Sequence, residues 1–147
     1  MQLMDEKQFL ELWELYDEFH DANIMHVDLH IGDSEMDLTA RIVLWLPWKN
    51  EQNLATPDVL RLELRRTSIV KINKDTSRQI FVFLCCYSSL NINWSNDLVY
   101  CCLDYDIASV DEPKLDLSFL EYSEFYLAGK EIYWSIESRN GEAPNVS

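Results

Sequence analysis

The sequence predicts an α+β domain in which an N-terminal amphipathic helix packs with a mainly antiparallel β-sheet of about six or seven strands. Two observations support this class. Apolar residues near the N-terminus recur with the helical period of about 3.6 residues, and from residue 24 onward they alternate with the strand period of about two. No strand–helix–strand alternation follows, which argues against a doubly wound nucleotide-binding fold. A chain of 147 residues is long enough for one domain with its own core.

The helix is predicted over residues 5–20. Asp5 is a candidate N-cap, and Gln8 follows three residues later, as in a capping box. The apolar face has the spacing of a helix that lies on a core. Its members are Phe9, Leu12, Trp13, Tyr16 and Phe19. The opposite face is acidic and is expected to face solvent; its members are Glu11, Glu14, Asp17 and Glu18.

Alternation of apolar and polar residues predicts the strands. Residues 24–31 form the first strand, with Met25, Val27, Leu29 and Ile31 on its buried side. Further strands are predicted at 37–46, 59–66 with a bent continuation to 72, 80–87, 98–103 and 130–137. Loops are predicted at 47–57, 91–96 and 104–116, and residues 117–126 fit either a short helix or a strand. Residues 1–137 are interpreted as one globular domain and residues 138–147 as a flexible C-terminal tail.

The charge of the chain is strongly negative and unevenly distributed. There are 26 acidic and 12 basic residues, for a formal net charge of −14. Residues 1–37 hold eleven acids and one base, whereas residues 38–82 hold eight bases and four acids. A negative field repels nucleic acids and anionic membranes and attracts basic partners, so neither a nucleic acid nor a membrane is expected as a partner. The pattern is typical of a solubilising surface or of an acidic face that recognises a cationic protein.

The N-terminal segment lacks the basic and apolar regions of a signal peptide, and no apolar run reaches the roughly 18 residues of a membrane span. We therefore expect a cytoplasmic protein whose cysteines are thiols. The cysteines form two vicinal pairs, Cys85-Cys86 and Cys101-Cys102. A turn predicted near residues 93–94 would set Cys85 opposite Cys102 and Cys86 opposite Cys101. Buried thiols are their expected role.

All three histidines lie between residues 20 and 30. His26, Asp28 and His30 would share one face of the first strand, and two imidazoles with a carboxylate are suitable ligands for zinc. Alternate residues on a strand are about 7 Å apart, however, whereas zinc ligands converge at about 2.0–2.2 Å from one ion. Neither an HExxH motif nor a zinc-binding cysteine spacing supplies further ligands. The wet face of an ordinary strand is therefore the preferred interpretation.

Other catalytic motifs are absent from the sequence. Neither GxSxG nor a GxxxxGK[ST] phosphate loop occurs, and no basic residue adjoins a cysteine pair to activate a thiolate. Acidic residues are so abundant that a catalytic carboxylate pair cannot be distinguished. We therefore expect neither enzymatic activity nor a cofactor.

A candidate partner-binding segment spans residues 94–116. Aromatic side chains supply packed anchors at protein interfaces, and carboxylates supply steering and charge-assisted hydrogen bonds. The candidate residues are Trp94, Tyr100, Asp104, Tyr105, Asp106, Asp111, Glu112 and Asp116. The acidic face of the helix is the second candidate surface, and a solvated acidic loop is the alternative interpretation of the segment.

Several stretches resemble small bacterial immunity proteins, which are encoded beside polymorphic or contact-dependent growth-inhibition toxins. They are FHDANI (19–24), DLTARIVLWLP (37–47), DVLRLEL (58–64) and DLSFLEYSEFYLAGKEIYWSIE (116–137). Several such families carry an HDA motif before their first strand, which His20-Asp21-Ala22 matches as a structural motif. The resemblance implies a sheet-rich α+β fold without enzymatic activity, which binds and blocks a toxin domain, often a cationic nuclease. It identifies no binding residues.

The leading hypothesis is thus an immunity protein, with a monomer favoured, that binds the C-terminal domain of a cognate toxin through an acidic, aromatic-bearing surface. One alternative is a metal-dependent enzyme that uses His26, Asp28 and His30. Another is a structural protein that self-associates through exposed aromatic side chains such as Trp45 and Trp48.

Overall fold

The computed structural model describes residues 1–32, 37–72, 89–105 and 125–138; the side chains of Ile72, Ser89, Asp104 and Tyr105 are outside the description. The elements in chain order are β1 (Gln2–Leu3), α1 (Glu6–Leu15), a 3-10 turn (Asp17–Phe19), β2 (Asn23–Ile31), β3 (Leu38–Lys49), β4 (Gln52–Arg65), β5 (Ile69–Ile72), β6 (Ser89–Ser95), β7 (Leu98–Tyr105), β8 (Phe125–Gly129) and β9 (Glu131–Glu137). The predicted strand 80–87, most of the acidic loop and the C-terminal tail lie outside the described residues.

The strands form two antiparallel sheets, and the predicted α+β class is confirmed. Sheet A has the order β1-β9-β4-β3-β2, and sheet B has the order β5-β8-β7-β6. The described residues contain nine strands rather than the predicted six or seven. The bent strand predicted over 59–72 is two strands in different sheets, because the chain turns at Arg66, which has a left-handed φ of 50°.

The prediction of a loop at residues 47–57 is wrong, because β3 and β4 continue through these residues as a long hairpin. Its two-residue turn is Asn50-Glu51, whose φ values of 50° and 62° are those that tight hairpins require. The pairing register shifts between the pairs Leu46–Asp58 and Trp48–Asn53. Pro47 and Pro57 lie within this irregular stretch, one on each strand. Proline is tolerated in a sheet where pairing is irregular, so these prolines mark a distortion and not a loop.

The prediction of a loop at residues 91–96 is also wrong. These residues belong to β6, which pairs with β7 through a turn at Asn96-Asp97, with φ values of 52° and 61°. Cys101 therefore lies opposite Ile92, and Cys102 lies opposite Asn91, rather than opposite cysteines 86 and 85. Both described cysteines are buried free thiols.

The core lies between the inner face of sheet A, sheet B and α1. Predicted inward residues pair directly across β3 and β4 and are buried: Ala40 with Leu64, Ile42 with Leu62, and Leu44 with Leu60. The capping box is confirmed, since the Gln8 N–H donates to the Asp5 carboxylate and the Asp5 N–H donates to the Gln8 side chain. Across the described residues, no helix has both the length and the hydrophobicity to cross a membrane.

The helix ends five residues earlier than predicted. Asp17, Glu18 and Phe19 all have left-handed φ values between 53° and 60°, which a right-handed helix cannot include. The Asn50 N–H donates to the Leu15 carbonyl at 2.9 Å and so satisfies one of the carbonyls at the helix end.

Part of the predicted buried side of β2 is exposed. A register shift between Ile24 and His26 puts Ile24, rather than Met25, on the inner face. Further along, Leu29 and Ile31 are 44% and 69% exposed. Alternation identifies residues that share a face, but it does not say whether another layer covers that face. At this end of the edge strand β2, the cover is incomplete.

Candidate partner-binding surface

The structure joins the helix and the start of the 94–116 segment through one aromatic contact. Trp94, near the end of β6, is half-buried, and its ring centroid lies 6.1 Å from that of Phe9 on α1. Phe9 in turn lies 6.0 Å from both Trp13 and Phe19. The hairpin that begins the 94–116 segment is therefore packed against the acidic helix. Neither helical nor strand periodicity indicated this proximity.

A shallow, largely open groove of about 560 Å³ adjoins the outward face of α1; the described residues that line it are Glu6, Lys7, Leu10, Glu11 and Glu14. Leu10 and the methylene stems of the charged residues supply apolar surface to it. The Lys7 ammonium lies 3.7 Å from the Glu11 carboxylate. Glu6, Glu11 and Glu14 outnumber Lys7 among these residues, so this face carries a net negative charge.

The tip of the β6–β7 hairpin forms a second depression, of about 450 Å³. The described residues that line it are Trp94, Ser95, Asn96, Asp97, Leu98, Val99 and Lys130. Tyr100 is half-buried within β7, between Asn93 of β6 and Ala128 of β8. Asp104 and Tyr105 continue β7, with side chains outside the description. The remaining candidates, Asp106, Asp111, Glu112 and Asp116, lie outside the described residues.

The His20-Asp21-Ala22 motif builds the entry into β2. The Trp48 indole N–H donates to the Asp21 carboxylate at 3.3 Å, and the His20 ring lies 5.7 Å from the Trp48 ring. Ala22 is buried. Nearby, the Asp17 carboxylate accepts the Glu51 N–H at 2.8 Å. The motif residues thus hold the chain after α1 against the β3–β4 hairpin.

The aromatic side chains proposed for self-association are not fully exposed. Trp48 and Trp45 are both half-buried, and the indole N–H of Trp48 donates to Asp21. The sequence predicted them as exposed because it placed Trp48 in a loop and Trp45 on the face of the 37–46 strand opposite to Leu44 and Leu46. In the structure, β3 includes both residues.

A buried polar group that sequence reasoning missed lies between α1 and β4. The Tyr16 hydroxyl donates to the Asp58 carboxylate at 2.8 Å, and the Lys49 ammonium lies 3.9 Å from the same oxygen. Tyr16 and Asp58 are 0% and 1% exposed. Burial, then the hydrogen bond to Asp58 and its negative charge, raise the pKa of Tyr16 well above its usual range, so the phenol stays a donor. Asp58 continues the inward alternation of Leu60 and Leu62, a signal hidden by the loop prediction.

Of the possible metal ligands on β2, His26 and Asp28 are in contact with each other. The His26 Nε2 lies 3.1 Å from the Asp28 Oδ2, which is hydrogen-bonding distance. By register, His26, Asp28 and His30 face the same side, opposite Val43, Arg41 and Thr39. Within the described portion of the chain, no three His, Cys, Asp or Glu side chains are grouped closely enough to hold a metal ion.

The outer face of sheet A is charge-balanced, unlike the helix face. Its arginines pair with glutamates on the same or neighbouring strands, and Arg66 beside it does the same. The pairs are Arg61 with Glu137 at 2.8 Å, Arg65 with Glu63 at 2.7 Å, Arg41 with Glu63 at 4.0 Å, and Arg66 with Glu131 at 3.3 Å. Arg65 also stacks 3.8 Å from the centre of the Tyr133 ring. The negative charge of the described residues is therefore concentrated on the α1 side.

Comparison with known proteins provides no relative: no family model, curated protein or solved structure matches this chain. Function must therefore be inferred from the charge and shape of the surfaces themselves.

Proposed function

We propose that this protein is an immunity protein that binds a cognate, cationic toxin domain of the nuclease type and blocks its active surface. The observation that carries the proposal is the segregation of charge. Seven acidic residues lie between residues 5 and 21, whereas the outer face of sheet A pairs its arginines with glutamates. A toxin that binds nucleic acid presents a positive surface, to which the acidic side of this protein is complementary.

Inhibition in this proposal requires occlusion and no chemical step. The acidic surface accelerates encounter, because complementary charges steer two proteins toward each other. Retention then depends on apolar and aromatic side chains that exclude water at the centre of the contact. Leu10 on α1 is exposed, and Trp94 and Tyr100 are half-buried; these are the candidate side chains for this role.

The proposal is tested by titrating the purified protein into the C-terminal domain of the large protein encoded beside it, by calorimetry. We expect one-to-one binding with a dissociation constant of about 10⁻⁹ M, weakening at least tenfold between about 0.05 and 0.5 M salt as screening increases. The toxin activity of that domain should disappear at the same stoichiometry. An unrelated acidic protein of similar net charge is the control. Absence of binding, or binding without loss of toxin activity, would overturn the proposal.

A further inference from the structure

We infer that the toxin is contacted by the outward face of α1, with Leu10 inserted into the centre of the interface; this inference rests on the proposed function. The occupant of the α1 groove is a cationic surface of the toxin domain, on which an apolar side chain is flanked by lysine or arginine. This assigns the principal contact to the helix, rather than to the 94–116 segment.

The groove has the composition of an interface. Leu10 is 37% exposed although it lies on a helix whose other large apolar residues are buried or half-buried. Charged side chains surround it, and the exposed Glu6 and Glu14 stand one helical turn to either side. Protein–protein interfaces combine an apolar centre with a polar rim in the same way.

The charge of the groove is complementary to a cationic partner. Of the described residues, three carboxylates and one ammonium line it, and the ammonium of Lys7 is paired with Glu11. Among the described residues, neither Glu6 nor Glu14 has a basic side chain within ion-pair distance. Two carboxylates are thus available to basic side chains of a partner, which would form charge-assisted hydrogen bonds with them.

Glu14 also lies at a position where a carboxylate is unfavourable for the stability of its own helix. It lies in the last turn of α1, which contains no basic residue. The C-terminal end of a helix carries partial negative charge, so a carboxylate there is unfavourable and a cation is favourable. A basic residue of the toxin would supply the missing cation. The sequence therefore retains a locally unfavourable residue where the proposed partner would compensate for it.

The opposite face of α1 keeps the groove rigid. Phe9, Leu12 and Tyr16 are buried in the core, and the capping box holds the N-terminal end. The Asn50 N–H donates to the Leu15 carbonyl at the other end. A surface held in this way loses little conformational entropy on binding, which favours affinity.

The test uses Leu10→Ala and Glu14→Lys in the full chain, with the same neighbouring toxin domain as the probe. Each substitution should raise the dissociation constant about tenfold. Glu14→Lys should at the same time raise the Tm of the free protein by about 1–2 °C, because the lysine suits the helix end. Weaker binding by a more stable protein is a combination that partial unfolding does not produce.

Two matched controls separate a local contact from general effects. Glu137→Lys changes the net charge as Glu14→Lys does, but on the outer face of sheet A, and should alter the dissociation constant less than about threefold. Leu29→Ala removes another exposed leucine and should have as little effect. If the wild-type protein fails to bind, the proposed function is wrong. If it binds and the α1 variants bind equally well, or if Glu137→Lys weakens binding as much as Glu14→Lys, only the assignment of the α1 face is wrong.

Discussion

Replacing Phe9 with alanine should lower the free energy of unfolding by about 3–5 kcal/mol, the range for removing a buried aromatic ring. Phe9 is 1% exposed and stands at the centre of an aromatic cluster, with three rings at 6.0–6.1 Å. One of them, Trp94, belongs to β6, so the ring joins α1 to sheet B. Its loss leaves a cavity that the two elements cannot close without moving toward each other.

Urea unfolding followed by tryptophan fluorescence measures the effect, because Trp13 and Trp94 both adjoin the substituted ring. Leu10→Ala is the matched control on the same helix. It removes a partly exposed side chain and should cost about 0.5 kcal/mol or less. Equal losses for the two variants would contradict the described packing of α1.

Replacing Tyr16 with phenylalanine should cost about 3 kcal/mol, although only one oxygen atom is removed. The Asp58 carboxylate is buried and accepts the Tyr16 hydroxyl at 2.8 Å, and the Lys49 ammonium is 3.9 Å away. Without the hydroxyl, a buried charge loses its closest donor, and such a loss is more costly than that of a neutral hydrogen bond. Tyr133→Phe is the control: its half-buried hydroxyl donates to Glu131 at 3.2 Å, and its loss should cost no more than about 1 kcal/mol.

The same variant has a distinctive pH dependence. The pKa of Tyr16 is raised in the folded protein, so the folded state binds the phenol proton more tightly than the unfolded chain does. This contribution is complete below the unfolded pKa of about 10 and is lost as the pH rises above it, by up to about 1.4 kcal/mol per unit. The stability difference between wild type and Tyr16→Phe should therefore shrink between about pH 9.5 and 11. A constant difference over that range would show that the Tyr16 phenol is not buried and hydrogen-bonded to Asp58 as described.

How much of the fold could be predicted depended on the range of the interactions involved. The α1 capping box needs only residues three positions apart, and the inward leucines of β4 need only a local alternation. Both predictions are confirmed. The hairpin turn at Asn50-Glu51 was missed because neither residue is glycine and prolines flank it on both sides. There, register across the strands overrode local turn propensity.

For the candidate surface, too, some properties could be predicted from local sequence and others depended on contacts between distant residues. The sequence determined the negative charge, its concentration near the N-terminus and the acidic outward face of α1. These properties follow from counts of charged residues and from the helical spacing of residues along the chain. Only the tertiary structure decided that Trp94 packs on Phe9, that Asp58 lies beneath Tyr16 and that Leu29 and Ile31 remain exposed. These facts depend on which strands pair and which faces are covered. Strand pairing and the burial of each sheet face are set by contacts between residues far apart in sequence. Composition and periodicity do not encode these contacts.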